Sequence, residues 1–178
     1  PIELFKTDKW TVIFIIIISI LIPNILKPMD IFFNYKMTKI KDKEILKVDI
    51  LYKNENPKNK IPEFDIREGK YIIAFASLTC PHCIMAIHKL NILKKDNPQF
   101  PIYYILNGEP EEINDFFKET KYIDIPYTML YMPEFMMLLE STSLPKIFLI
   151  ENGVIKYAPD YKEINEKQIN EWLTTKTE

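Results

Sequence analysis

Apolar positions along this chain fall into runs of different period, and each period predicts a different element. The first run, Trp10-Thr-Val-Ile-Phe-Ile-Ile-Ile-Ile-Ser-Ile-Leu-Ile-Pro-Asn-Ile-Leu26, passes 17 positions without a charge. As a helix it would reach about 25 Å, the short end of what a bilayer core requires. A membrane span over 10–26 is the first reading, with a buried core helix or a signal sequence as alternatives. The signal sequence is the weaker, because Lys27-Pro-Met-Asp30 offers no small-residue cleavage site. Residues 1–9 form a polar flank and begin without methionine, as expected of a fragment or a processed product. Residues 27–60 form a basic segment, and within 34–60 eight lysines face four acids. Ile31–Tyr35 and Ile45–Tyr52 are expected there as short strands, and 54–60 as a loop. A solvated linker with edge strands explains this segment more simply than a stretch held near anionic lipid.

From residue 61 to 178 strand and helix periods alternate. Tyr71-Ile-Ile-Ala-Phe-Ala76 and Ile102-Tyr-Tyr-Ile-Leu106 are short continuous apolar runs, fit for buried strands. Between them, 81–95 places apolar residues at 84, 87, 90 and 93 with lysines toward the end, as an amphipathic helix should. Pro110 opens an acidic helix to Thr120, 125–130 predicts a strand, and 133–139 a short helix. Lys146–Ile150 and Val154–Tyr157 flank Glu151-Asn-Gly153, a hairpin signal. A last helix runs from about Asn165 to Thr174. The order β-α-β-α-β-α-β-β-α describes an α/β sandwich with parallel pairing early and an antiparallel hairpin late.

Composition narrows the function. Only three glycines occur, far apart, so no glycine-rich phosphate loop or dinucleotide fingerprint exists. Thirteen prolines exclude a long coiled coil. Arg67 is the single arginine, which argues against a reader of nucleic acid. The two cysteines, Cys80 and Cys83, are too few for a disulfide-stapled scaffold, so they act together.

Those cysteines stand in Ser77-Leu-Thr-Cys-Pro-His-Cys83, two residues after a buried strand and at the start of a helix. Backbone N–H groups and the helix dipole there favour a thiolate at Cys80, the nucleophile. Cys83, one turn later, is within disulfide reach. Pro81 fixes the helix entry. A protonated His82 would add positive charge, stabilise the thiolate and make the disulfide a better oxidant. Zinc would need four ligands, and the two cysteines with His82 and His88 close a tetrahedron poorly. Attachment of c-type haem is excluded because residue 84 is Ile. His88 reads as an ordinary helix histidine. Met129, Met132, Met136 and Met137, with nearby aromatics, read as core packing before they read as a substrate groove.

Strand, Cys80-Pro-His-Cys83, helix, and a later Ser143-Leu-Pro145 leading into a hairpin resemble the thioredoxin fold over roughly residues 61–174. The resemblance implies a cis peptide bond at Pro145, packed against the active-site pair. It also implies that the backbone of Leu144, after Ser143, pairs with a bound substrate. The Cys-Pro-His-Cys segment is similar to that of DsbA-type oxidases. Room before Pro145 for an extra element is similar to membrane-anchored TlpA-like proteins. The whole chain resembles the tail of bacterial DoxX-type membrane proteins. One position departs from the pattern: the buried acid expected on the strand before the first cysteine is Ala74.

The expected function is a membrane-tethered thiol–disulfide oxidoreductase acting on protein thiols or disulfides, with no diffusible cofactor and no metal. A membrane redox partner would reset the pair. A non-catalytic thioredoxin-like interaction domain and a copper-handling thiol protein are the alternatives. Lysines 6 and 9 precede the apolar run and 27, 36, 39, 41 and 43 follow it. Taken literally, that bias places the domain in the cytoplasm. An anchored oxidant fits an oxidising compartment better, so the domain is expected on the extracytoplasmic, periplasmic side.

Overall fold

The computed structural model describes residues 9–25, 37, 40, 44–53, 62, 65–139 and 143–175. The strand expected at 31–35 and the loop at 54–60 lie outside them. The chain divides into two compact units, Pro1–Tyr35 and Lys36–Glu178.

In the first unit, Lys9–Ile25 forms helix α1. Trp10, Val12, Ile13, Phe14, Ile15, Ile16 and Ile18 are all exposed, so the apolar side chains are not confined to one stripe. Among the described residues no helix is long and apolar enough to cross a membrane.

The second unit is built on five strands in the order β3-β2-β1-β4-β5. They are β1 (Lys70–Ser77), β2 (Ile102–Asn107), β3 (Tyr127–Met129), β4 (Lys146–Glu151) and β5 (Val154–Tyr157). The helices are α2 (Pro81–Asp96), α3 (Ile113–Thr120), α4 (Glu134–Leu139) and α5 (Glu166–Thr174). β1 pairs in parallel with β2 and β2 with β3, while β4 runs antiparallel to both β1 and β5. This mixed sheet flanked by helices has the element order that the hydrophobic periods predict.

Alternation along β1 separates the two cores, because successive strand side chains face opposite sides. Ile72, Ala74 and Ala76 join Cys83, Ile87 and Leu90 of α2, Phe116 of α3, and Ile169 and Trp172 of α5. Ile73 and Phe75 join Phe135 and Leu138 of α4 on the other face. There Phe75 meets Phe135 and Phe148 edge-on, each with ring centroids 5.8 Å apart.

Three local features shape this frame. Asn152 and Gly153 both take positive φ, 52° and 76°, as a two-residue hairpin turn requires. A buried network ties three elements: Tyr104 of β2 donates to Asn91 of α2, which donates to the carbonyl of Thr120 ending α3. Lys70 donates to the carbonyls of Trp172 and Thr175 at the end of α5, at 2.9 and 2.6 Å.

The stretch 45–52 departs from the expected strand. Ile45 makes a single antiparallel bridge to Val154, and Val48–Tyr52 is a 3₁₀ turn. Val48 and Leu51, three apart, both bury into the second core, and that spacing suits a 3₁₀ turn rather than a strand. Ile40 and Leu46 donate to Lys156 and Gly153 carbonyls, so the segment covers the β5 edge without forming a full strand. The expected acidic helix is likewise split, with Pro110–Glu112 as a 3₁₀ turn before α3.

Phe75→Ala would leave a cavity between two edge-on rings in a fully buried site. The expected loss is about 3–5 kcal/mol of stability, read as a lower midpoint in urea unfolding. A loss under about 1 kcal/mol would show that the second core is loosely packed.

Candidate active site

The C-terminal end of β1 delivers the cysteines. After Ser77 the backbone turns, with the Cys80 N–H donating to the Ser77 carbonyl at 3.2 Å. Cys80 is the N-cap of α2, in extended conformation (φ −86°, ψ 118°), and Pro81 occupies the first turn. Proline is at ease there because that N–H lacks a helical partner anyway. The Cys80 carbonyl accepts from Ile84 N–H at 3.0 Å, which closes the first turn.

The two cysteines differ in environment. Cys80 is half-buried, whereas Cys83 has no exposed surface. Burial pushes the Cys83 thiol up to about 12, helped by its hydrogen bond to Cys80 and opposed by the Ser77 N–H. That N–H donates to Cys83 Sγ at 3.4 Å. Cys80 is therefore the sulfur a reagent or substrate meets, and Cys83 is a protonated thiol beneath it at neutral pH.

Among the described residues no carboxylate relieves that protonation. Ala74, fully buried on β1, lies on the same face as Cys83. Among the described residues Glu151 is the single buried acid. It stands at the opposite end of β1, in register with Lys70 and 3.7 Å from its ammonium.

The remaining expected residues gather at the same end of the sheet. Strand register sets Lys146 beside Phe75, so Pro145 sits next to the end of β1. The Leu144–Pro145 peptide is cis, as the resemblance implies. Leu144 and Cys80 pack against one hydrophobic cluster, and Ser143 is exposed. His82 is exposed on the first turn of α2. His88 is instead fixed by the Thr120 carbonyl, 3.0 Å from Nδ1, away from the thiols. Of the methionines, Met129 is buried while Met132 and Met137 are exposed. Among the described residues no three His, Cys, Asp or Glu side chains are grouped to hold a metal ion.

Two residues near the site carry no signal in the sequence. Gly108, after β2, has φ +156°, and a Cβ there would lie 2.8 Å from the side chain of Leu78. Only glycine lets β2 end so close to the turn that precedes Cys80. Tyr161, in the turn after β5, brings its hydroxyl within 3.5 Å of His82 Nδ1. It lies 79 residues from its partner, beyond any local pattern.

No family model matches the chain. Among solved structures it is similar to a thiol:disulfide interchange protein from Bacteroides sp., with TM-score 0.46 and 18% identity over 52% of this chain. The chain spans 64% of that protein's length. A thiol:disulfide interchange protein of the thioredoxin family from Chlorobium tepidum gives TM-score 0.48 and 19% identity, covering 59% of this chain and 80% of that one. StoA from Bacillus subtilis gives 0.43 and 22%, covering 59% and 83%.

The unequal burial generates a direct prediction. Iodoacetamide at pH 7–8 should alkylate Cys80 at least ~100-fold faster than Cys83, since a buried thiol pushed up to about 12 is scarcely thiolate there. Labelling of Cys83 should rise only as pH climbs toward 12. Peptide mass spectrometry over time reads both sites, and equal rates would show that Cys83 is not shielded.

Proposed function

We propose that this chain is a membrane-tethered thiol–disulfide oxidoreductase that exchanges disulfides with protein substrates through Cys80 and Cys83. The observation that carries this reading is the asymmetric pair: an accessible cysteine at a helix N-terminus with a buried cysteine one turn behind it. Nucleophilic exchange needs one sulfur open to a partner and a second close enough to resolve the mixed disulfide.

With the pair oxidised, a substrate thiolate attacks Cys80 Sγ. The Cys80–Cys83 bond breaks, and Cys83 leaves with the electron pair and takes a proton. A second substrate thiolate then attacks the substrate sulfur of the mixed disulfide and releases Cys80 as a thiolate. The substrate dithiol loses two electrons and the protein pair gains them. In the reverse direction Cys80 attacks a substrate disulfide, and Cys83 resolves the mixed disulfide by attacking Cys80 Sγ. The Ser77 N–H favours the Cys83 thiolate in either direction. His82, when protonated, would add positive charge near Cys80, Pro81 fixes the helix entry, and the Ser143-Leu144-Pro145 loop offers backbone to the substrate chain. A redox partner in the membrane resets the pair.

α1 is the tether in this reading. Its exposed apolar side chains, with no charge after Lys9, suit lipid better than water. At 17 described residues, about 25 Å, α1 by itself falls short of a full crossing, so the tether asks for a locally thinned bilayer. The domain is placed on the extracytoplasmic side, where disulfides persist.

A redox titration of the full chain in glutathione buffers, with thiol trapping, tests the chemistry. A midpoint near about −120 mV marks an oxidant and one near about −270 mV a reductant. No titratable couple would overturn the reading. Cys83→Ser should accumulate a mixed disulfide with a substrate protein, and Cys80→Ser should not.

The tether is tested separately. The full chain should float with phosphatidylcholine vesicles and resist carbonate extraction. Ile15→Lys with Ile18→Lys, each costing about 2.5–3.5 kcal/mol at a bilayer centre, should release it. Carbonate-extractable wild type would refute the tether and leave the redox reading intact.

A further inference from the structure

His82 is exposed, and an exposed imidazole on a helix surface samples several rotamers. Its electrostatic effect on a sulfur falls with distance, so it is largest when the ring is held in one place. The structure supplies a holder from a distant part of the chain. The turn that follows β5 lies along α2 and touches it at two points one heptad apart. At the far point, Lys89 donates to the carbonyl of Lys162 at 2.9 Å, and its ammonium is drawn by Asp160. At the near point the Tyr161 hydroxyl stands 3.5 Å from His82 Nδ1. Positions 82 and 89 share one helix face, since seven residues make close to two turns.

The turn is itself well formed. Asp160 accepts through its side chain from Lys162 N–H at 2.8 Å, and its carbonyl accepts from Glu163 and Ile164. Tyr161 is half-buried, with its ring packed against the same core that holds Cys83 and the Lys162 ammonium 5.7 Å from the ring centre. A ring seated in the core with its hydroxyl at the surface is a fixed post, not another mobile side chain.

The geometry points to Tyr161 as the positioning residue for His82, through which the β5–α5 turn sets the redox equilibrium of the Cys80–Cys83 pair. This rests on the proposed thiol–disulfide exchange. Tyr161 takes no part in bond making: its hydroxyl engages Nδ1 and keeps the ring near the helix N-terminus. A positive ring held there stabilises a Cys80 thiolate, hence the reduced state, and makes the disulfide more oxidising. Releasing the ring should move the pair part of the way toward its behaviour without His82.

The test is a double-mutant cycle on the full chain, read as the equilibrium constant with glutathione. Tyr161→Phe keeps the ring in the core and removes the hydroxyl. We expect an approximately threefold shift toward the disulfide, about 14 mV, in the same direction as His82→Ala and smaller than it. Tyr161→Phe on the His82→Ala background should add nothing, and the Tm of Tyr161→Phe should match wild type. Should that variant fail to fold, Lys89→Met frees the turn from α2 and should shift the equilibrium the same way.

An unchanged constant in Tyr161→Phe, beside a shifted one in His82→Ala, would overturn the inference and leave the oxidoreductase reading standing. So would an equal Tyr161→Phe shift with and without His82, because the hydroxyl would then act by another route. A titrating couple that ignores His82→Ala also removes the inference alone. Absence of any couple in wild type removes both.

Discussion

The central place of β1 is the constraint on which the reactive end depends. Hydrogen-bonded to β2 on one side and β4 on the other, it cannot slide or tilt without breaking two ladders. Its last residue therefore fixes where the helix carrying Cys80 begins, and the β4 register fixes where Pro145 arrives beside it. The turn between strand and helix is short, and Gly108 lets the end of β2 crowd against it. A site assembled from four separate stretches of chain is thereby held by backbone bonds, with few side-chain contacts needed to align it.

The same strand explains why Cys83 keeps its proton. Ala74 and Ala76 leave the space under α2 to apolar packing, and Cys83 is enclosed by it. A carboxylate at position 74 would accept a proton from Cys83 and would cost burial energy in return. This chain keeps the packing. Its one described buried acid sits at the far end of β1, where Lys70 and Lys156 neutralise it and Lys70 also holds the end of α5. Stability and chemistry are served at opposite ends of one strand.

Much of this was legible from the chain because the signals are local. The strands at 71–76 and 102–106, the Asn152-Gly153 turn and the strand–Cys80–helix junction each follow from residues within a few positions of one another. Ile45–Tyr52 was misjudged because a β-branched stretch reads as a strand in isolation. The burial of Val48 and Leu51 on one side is a tertiary fact that selects the turn. Pro145 could be placed beside the cysteines only through family resemblance, since 62 residues separate it from Cys83. Tyr161 was invisible: a tyrosine between Asp160 and Lys162 has no periodicity, and its meaning comes wholly from the turn being laid along α2.

The two sulfurs also dictate the order of events, whichever way electrons flow. A buried thiol that stays protonated to about pH 12 cannot compete for substrate from outside. Intermolecular attack must pass through Cys80, and Cys83 acts only on a sulfur already joined to Cys80. Proximity compensates for its low thiolate fraction, because intramolecular attack from a fixed position proceeds at a high effective concentration. Resolution then becomes the step that the missing acid slows most, since it alone requires Cys83 to lose its proton. Opening of an oxidised pair meets the same obstacle from the other side, because a thiol held so high is a poor leaving group until a proton reaches it. The apolar environment built around Ala74 therefore makes proton transfer at Cys83 the slow element of exchange in both directions.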